Sequence, residues 1–359
     1  MRKKLVDVIK NVIDRRFHVD KLFVADLSPY QIIFTDDLMS VRVYLPENSS
    51  ADKKNFAVPV ILVPPLGVSA WIFDLLPERS LVKHLLHQGF HVYLIDWGEP
   101  GRQHAHLSLE NYVVDWFSKA VTAVRLHAKK TEVSLVGYCM GGLLALLYTA
   151  YFKDTAIRNI AVLGSPIDFH ATTAIGRIMS KMNRPLNRLS KWARFSLLDV
   201  SPDFFHMSGR ALSASFNLTS PMSGIKSTLD LLVNLADREY VAMHTTTAKW
   251  FNEMQDYPGA MVQSVLIHFG LNNLLAKDSL SFTSGAVRFS AIQSAIFAVA
   301  GLQDRIVPIE AVRRVLDVVS STDKRLKIVP GGHAGLFAGA KAPETTWLYL
   351  AEWLTPRSG

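Results

Sequence analysis

The only cysteine of the chain lies in the sequence Gly137-Tyr138-Cys139-Met140-Gly141-Gly142. An apolar, β-rich run at 133–136 precedes it, and a stretch rich in leucine and alanine follows it. A strand, a sharp turn and a helix in this order can present a nucleophile, and small residues at Gly137 and Gly141 keep the tight turn free of collisions. We therefore predict that Cys139 is a nucleophile at the N-terminus of a helix, where the helix dipole favours negative charge. The alternative is a buried cysteine beside glycines that serve helix packing.

Two further residues can supply the base and the carboxylate that such a thiol needs. Asp304 follows the apolar run at 295–300, and His333 follows the run at 326–329 with glycines on both sides. Nucleophile, acid and histidine in this chain order are typical of triads built on strand–turn–helix units. We predict a triad of Cys139, His333 and Asp304. Taken singly, Asp304 could cap a helix and His333 could be an ordinary loop residue.

The same chemistry requires amide donors for a developing oxyanion. The first amide of the helix after the cysteine, that of Met140, is the expected donor. The second is expected in the loop after the apolar run at 58–63, where the sequence does not choose between Leu66 and Gly67. We predict no metal site, because the other histidines lack ligand spacing and one cysteine cannot supply a thiolate cluster.

Short apolar runs alternate along the chain with longer helical patterns. The runs lie at 58–63, 91–95, 133–136, 159–163, 295–300 and 326–329. Continuous apolarity favours strands buried on both faces of a parallel sheet, and the helical pattern at 108–128 suits the crossover that parallel strands need. We predict the α/β class: a mostly parallel sheet flanked by helices.

This rhythm stops after residue 168 and returns near residue 294. The intervening sequence, 169–293, has a helical and loop character with a basic segment at 177–194, which predicts an inserted, mainly helical cap. The predicted core is then 46–168 with 294–359. Residues 1–45 are predicted to form an amphipathic helix and a lead-in, the helix either docked on the body or in contact with a surface.

Composition excludes several classes of protein. The chain has 359 residues, 49% of them hydrophobic, which is incompatible with a disordered chain. Its 39 basic and 31 acidic residues give a net charge of +8 that attracts anions, but no nucleic-acid motif accompanies it, so we expect no nucleic-acid partner. The N-terminus lacks the apolar core of a signal peptide, and the uncharged run at 133–152 contains glycines that favour strand, turn and helix over a membrane span. We predict a cytoplasmic protein.

These motifs together resemble those of the polyhydroxyalkanoate synthases, in particular the short catalytic subunits of classes III and IV. Besides the cysteine motif, the resemblance rests on Val63-Pro64-Pro65, Leu94-Ile95-Asp96-Trp97-Gly98, Leu163-Gly164-Ser165-Pro166, Asn272-Asn273-Leu274, the Asp304 loop and Pro330-Gly331-Gly332-His333. The resemblance implies an α/β-hydrolase fold and an acyltransferase that polymerises 3-hydroxyacyl groups from coenzyme A thioesters. It implies Cys139 as acyl acceptor, His333 as base and Asp304 as partner carboxylate, which in this family is also considered for the incoming hydroxyl.

The resemblance also implies that no cofactor is bound permanently and that the coenzyme A thioester is a substrate. The implied partners are 3-hydroxyacyl-coenzyme A, the growing polyester chain and, as for the short synthases, a small second subunit. The sequence leaves open a homodimer and a contact with a granule surface. Arg305 and Met140 stand where synthases commonly carry histidine and glutamine. Two alternatives therefore stay open: a cysteine-triad hydrolase of single acyl esters, like a dienelactone hydrolase or a thioesterase, and a non-catalytic protein that binds a granule or membrane.

Overall fold

A computed structural model describes residues 2–45, 55–171, 178–183, 196–219 and 229–359, together with the single residues 176, 185 and 188. One eight-stranded sheet forms the centre of the protein. Its strands are β1 (Tyr30–Asp36), β2 (Met39–Tyr44), β3 (Val60–Val63), β6 (Val92–Asp96), β7 (Val133–Tyr138), β8 (Ile157–Leu163), β11 (Ala295–Gly301) and β12 (Lys324–Val329). Two short hairpins, β4 (Asp74–Leu76) with β5 (Arg79–Ser80) and β9 (Leu280–Phe282) with β10 (Gly285–Val287), stand apart.

The strand order of the sheet is β1-β2-β6-β3-β7-β8-β11-β12. From β6 to β12 every neighbouring pair is parallel. The carboxyl ends of β7, β11 and β12 therefore meet at one edge of the sheet, and the chain leaves these strands toward Cys139, Asp304 and His333. The six predicted strands are all present, and all six belong to this sheet.

Helices flank the sheet and form most of the described cap. They include α1 (Arg2–Phe17), α2 (Leu81–Gln88), α3 (Phe117–Ala128), α4 (Met140–Phe152), α5 (Gly209–Thr219), α6 (Arg238–Asn252), α7 (Gly259–Ser264), α8 (Ile309–Arg313), α9 (Val315–Val318), α10 (His333–Ala338) and α11 (Leu348–Leu354). The helix predicted at 108–128 contains, after its first two residues, a π-helical segment, Asn111–Trp116, which continues directly into α3.

Two apolar cores cover the two faces of the sheet. In β3, Ile61 and Val63 belong to one core and Val60 and Leu62 to the other, as the alternation of side chains along a strand requires. All four residues are buried, which explains why the strand is apolar throughout rather than at every second position.

The predicted boundary between lead-in and core is wrong at one point. Strands β1 and β2 lie within 1–45, but they pair antiparallel with each other and β2 pairs antiparallel with β6, so both extend the sheet. In the predicted cap, residues 172–175 and 220–228 and most of the basic segment 177–194 lie outside the described residues. Among the residues that the structure describes, none of the helices combines the length and apolarity of a membrane crossing.

Candidate active site

The turn between β7 and α4 holds Cys139 in an uncommon backbone conformation. Its φ is +52° and its ψ is −121°, a combination that side-chain-bearing residues rarely adopt. A Cβ atom added to Gly137 would lie 2.2 Å from the backbone nitrogen of Gly142, and one added to Gly141 would lie 2.0 Å from the carbonyl oxygen of Val63. The absence of side chains at both positions is therefore a steric requirement of the turn.

The surroundings of Cys139 fix it at the junction of the two cores. Its backbone N–H donates to the carbonyl oxygen of Leu163, the last residue of β8, at 2.9 Å. Its half-buried side chain contacts both apolar cores. Met140 begins α4, so the amide predicted as an oxyanion donor lies at the positive end of a 13-residue helix.

The loops after β11 and β12 bring Asp304 and His333 into contact. His333 Nδ1 lies 2.8 Å from Asp304 Oδ2. Asp304 Oδ1 accepts hydrogen bonds from the backbone N–H groups of Ile306 at 2.9 Å and Val307 at 2.8 Å. The side chain of Asp304 is 0% exposed and that of His333 is 7% exposed. The carboxylate is therefore fixed from both sides and oriented toward the imidazole.

The charge state of His333 depends on both neighbours. Burial disfavours the imidazolium ion, but the negative charge of the Cys139 sulfur and the hydrogen bonds of His333 with Asp304 and Cys139 favour it, so the pKa of His333 rises to about 10. His333 thus interacts with both of the other predicted residues, by a hydrogen bond with Asp304 and electrostatically with Cys139.

Tyr138, the residue before the cysteine, supports the histidine in two ways. Its hydroxyl donates to the backbone carbonyl of His333 at 3.1 Å, and its ring stacks on the imidazole with 5.3 Å between centroids. Burial is the largest cause that raises the pKa of Tyr138 above its ordinary value, and the negative charges of Cys139 and Asp304 raise it further. The hydroxyl therefore stays protonated and remains a donor.

The loop after β3 runs along the first turn of α4. Trp97 Nε1 donates to the carbonyl oxygen of Pro64 at 2.9 Å and so ties this loop to the chain that leaves β6. Gly67 has a φ of +79°, and a Cβ atom there would lie 2.6 Å from Leu212 Cδ2. Leu66 and Gly67 both stay candidates for the second oxyanion donor.

The cap covers this loop and contributes a second tyrosine to the site. The backbone N–H of Gln255 donates to the carbonyl oxygen of Gly67 at 2.9 Å. Tyr257 packs beside Gly67 and is held by two backbone hydrogen bonds with Met207, at 2.8 and 3.2 Å. Burial raises the pKa of Tyr257 most, and the negative charge of Cys139 adds to this effect, so the hydroxyl stays protonated.

The sequence profile of the alpha/beta hydrolase fold family matches residues 58–340. The chain belongs to this family. Among solved structures, this alpha/beta hydrolase is similar to a soluble variant of the monoglyceride lipase of Saccharomyces cerevisiae, with a TM-score of 0.52 and 14% identity over 92% of the chain and 96% of the lipase. At that identity the likeness concerns the fold.

Curated relatives of this alpha/beta hydrolase have names that are more specific than that of the fold family. It is 28% identical over 334 residues to the poly(3-hydroxyalkanoate) polymerase subunit PhaC of Allochromatium vinosum, covering 92% of the chain and 89% of that protein. It is 27% identical over 356 residues to the same subunit of Haloferax mediterranei, covering 99% of the chain and 69% of that protein. These similarities confirm the predicted resemblance to the polyhydroxyalkanoate synthases.

Sequence reasoning missed two residues of this alpha/beta hydrolase's site. Tyr138 lies inside the cysteine motif, but no spacing rule indicates that its hydroxyl reaches the histidine. Tyr257 lies far along the chain, in the inserted segment, and reaches the site only through its pairing with Met207. Within the described ranges, no group of three or more histidine, cysteine, aspartate or glutamate side chains is placed to hold a metal ion.

Proposed function

We propose that the protein is an acyltransferase that polymerises 3-hydroxyacyl groups from 3-hydroxyacyl-coenzyme A into polyhydroxyalkanoate, with Cys139 as the covalent acyl carrier. The observation that supports this most is the contact of the cysteine, on its strained turn, with the buried His333–Asp304 pair. The similarity to polymerase subunits supplies the substrate class. The coenzyme A thioester is a substrate in this proposal, and no permanently bound cofactor takes part.

The first half-reaction forms the acyl-cysteine. His333 holds the thiol proton of Cys139, and the sulfur attacks the thioester carbonyl of the substrate. The amide of Met140 and one amide of the Leu66–Gly67 loop stabilise the oxyanion. The carbon–sulfur bond to coenzyme A then breaks, and its thiolate leaves with the proton from His333. Because one thioester replaces another, this step is close to balanced in free energy.

The second half-reaction extends the chain. A 3-hydroxyl group attacks the carbonyl of the acyl-cysteine, an ester bond forms, and the carbon–sulfur bond to Cys139 breaks. The hydroxyl proton passes to His333 and Cys139 leaves as the thiolate, which restores the starting state. Because the Asp304 side chain is fully buried and already bonded to His333, Ile306 and Val307, we assign it the orientation of the imidazole rather than direct contact with the hydroxyl.

The proposal extends to associations of the protein. The nascent polyester would hold the enzyme to a granule through its covalent bond to Cys139, inside the cytoplasm. A small second subunit fits the word "subunit" in the names of the relatives, and a homodimer is the simplest assembly to seek beside it. The net charge of +8 would attract the phosphates of coenzyme A.

Incubation with 3-hydroxybutyryl-coenzyme A tests the proposal. We expect release of free coenzyme A, an acyl adduct on Cys139 in peptide mass spectra, and polyester among the products. Cys139→Ala should abolish all three, whereas Lys130→Gln, a change at an exposed residue, should alter none of them. Equal release by wild type and Cys139→Ala would exclude the cysteine mechanism.

The products separate the alternatives. Free 3-hydroxybutyrate without polymer, even when a candidate second subunit is added, would indicate a hydrolase. The absence of any coenzyme A release under both conditions would indicate a binding protein without this activity.

A further inference from the structure

Helix α1 docks on the body of the protein through its polar side. Asp14 and Asn11, 5% and 2% exposed, face α6 and the chain before it. Arg238 Nη1 donates to Asp14 Oδ2 at 2.8 Å, and Asn11 Nδ2 donates to the carbonyl oxygen of Leu235 at 2.9 Å. Arg15 lies 3.3 Å from the hydroxyl of Thr245. The buried side of this helix is therefore held by hydrogen bonds and ion pairs.

The opposite side of α1 is apolar and open. Between residues 4 and 17, the exposed residues are Lys4, Leu5, Val6, Ile9, Lys10, Val12, Ile13, Arg16 and Phe17. The six apolar members of this set, which we call the α1 face, are between 45% and 72% exposed. This is the reverse of an ordinary surface helix, whose apolar side faces the core.

The exposed charges that α1 itself carries within residues 4–17 have one sign. They belong to Lys4, Lys10 and Arg16, whereas Asp14 is buried and Asp7 is half-buried on the docked side. Exposed acids lie off this helix: Asp20 in the turn beyond its end, and Asp237 and Glu239 on the docked side, where Arg238 pairs with Asp14. An occupant of the α1 face must therefore offer an apolar layer bordered by negative charge.

We propose that the α1 face binds the surface of an anionic phospholipid bilayer, with the helix lying parallel to the surface. Its apolar residues would enter the boundary between headgroups and acyl chains, and its basic residues would contact lipid phosphates. A second copy of the chain is disfavoured because it would bring two basic rims together. An uncharged polyester surface would leave the basic residues without a counter-charge. The α1 face thus adds a lipid contact to the proposed function without depending on it.

Sedimentation of the full chain with sucrose-loaded vesicles tests this proposal. We expect binding to vesicles of phosphatidylcholine with phosphatidylglycerol, weaker binding as salt rises, and little binding to phosphatidylcholine alone. Ile9→Glu should lower the partition coefficient about tenfold or more, because it removes one buried aliphatic side chain and adds a repelled charge. Lys10→Gln should lower it about fivefold.

Two matched variants control for the change in charge. Leu126→Glu places a carboxylate on an exposed leucine of α3, and Lys130→Gln removes an exposed lysine elsewhere. Both should bind the anionic vesicles more tightly than their α1 counterparts. Circular dichroism melting confirms folding, and Lys10→Gln keeps the test valid if Ile9→Glu unfolds.

Three results would overturn the proposal. The first is equal binding by Ile9→Glu and Leu126→Glu. The second is binding of wild type to lipid-free polyester particles that is as tight as its binding to anionic vesicles and insensitive to salt. The third is a wild-type dimer in solution that Ile9→Glu dissociates while vesicle binding stays unchanged, which would assign the α1 face to self-association.

Discussion

Replacing Asp304 with asparagine reverses the hydrogen-bond roles around His333. In the native site, Oδ1 accepts two backbone N–H groups and Oδ2 faces Nδ1 of the histidine at 2.8 Å. In Asp304→Asn, the amide oxygen must stay with the backbone N–H groups of Ile306 and Val307, because an NH₂ group there would face two donors. The NH₂ group then faces Nδ1 of His333, which must be unprotonated, so the imidazole is neutral and keeps only the proton on Nε2. The nitrogen that should accept the Cys139 proton is then already protonated.

The expected loss follows from the bond that is removed. A hydrogen bond between charged partners contributes about 1.5–3 kcal/mol, and at 1.36 kcal/mol per decade this predicts a fall in kcat/KM of about 10- to 150-fold. The reversed tautomer adds to this figure, so it is a lower bound. The assay is release of coenzyme A from 3-hydroxybutyryl-coenzyme A, with melting curves recorded in parallel.

Asp278→Asn is the matched control for this variant. Asp278 also accepts two backbone N–H bonds, from Phe289 and Ser290, and both of these partners lie outside the triad. Its replacement should leave kcat/KM unchanged even if it lowers the melting temperature. If Asp304→Asn keeps kcat/KM within about threefold of wild type while folding normally, the orientation that we assign to the carboxylate is refuted.

Three further changes probe the same site. Tyr138→Phe removes the donor to the His333 carbonyl but keeps the stacked ring, so urea denaturation should show a loss of about 1 kcal/mol in the free energy of unfolding; an unchanged value would contradict the bond. Gly141→Ala places a Cβ 2.0 Å from the Val63 oxygen, and we expect a loss of about 1–3 kcal/mol with little coenzyme A release left; normal activity would show that the turn relaxes freely. Cys139→Ala removes negative charge that raises the pKa of His333. By ¹⁵N NMR, the wild-type imidazole should stay protonated through neutral pH, whereas the imidazole of the variant should titrate at lower pH. Identical titrations would exclude the interaction.

The strands were predictable where burial imposes a simple pattern. Strands β3, β6, β7, β8 and β11 are apolar almost throughout because helices cover both faces of the sheet, and such runs stand out in a sequence. Strands β1 and β2 were missed because they lie at the antiparallel end, where polar and apolar residues intermix. A search for continuous apolarity excludes such strands.

The site was predictable as far as it depends on strand ends. Cys139, Asp304 and His333 each follow a parallel strand, so the topology alone brings them to one edge, and the glycines around the cysteine reflect a steric requirement that can be read locally. Contacts made by the cap depend instead on pairing between residues that are far apart in the sequence. Tyr257 packs beside Gly67, where its backbone pairs with Met207 across the inserted segment, and no short spacing encodes that pairing.

These cap contacts bear on how the site works, because the cap and the loop after β3 are joined. Gln255 donates to the Gly67 carbonyl through its backbone and to the Ser69 hydroxyl, 3.4 Å away, through its side chain, while the Tyr257 ring packs on Gly67. The peptide that follows Gly67 is therefore oriented by the cap. A movement that lifted residues 255–257 would also release the loop that carries the proposed second oxyanion donor. Gln255→Ala removes the side-chain bond to Ser69 but keeps the backbone bond to Gly67, so it should lower kcat for coenzyme A release only in part, and a complete loss of release would contradict this division of roles.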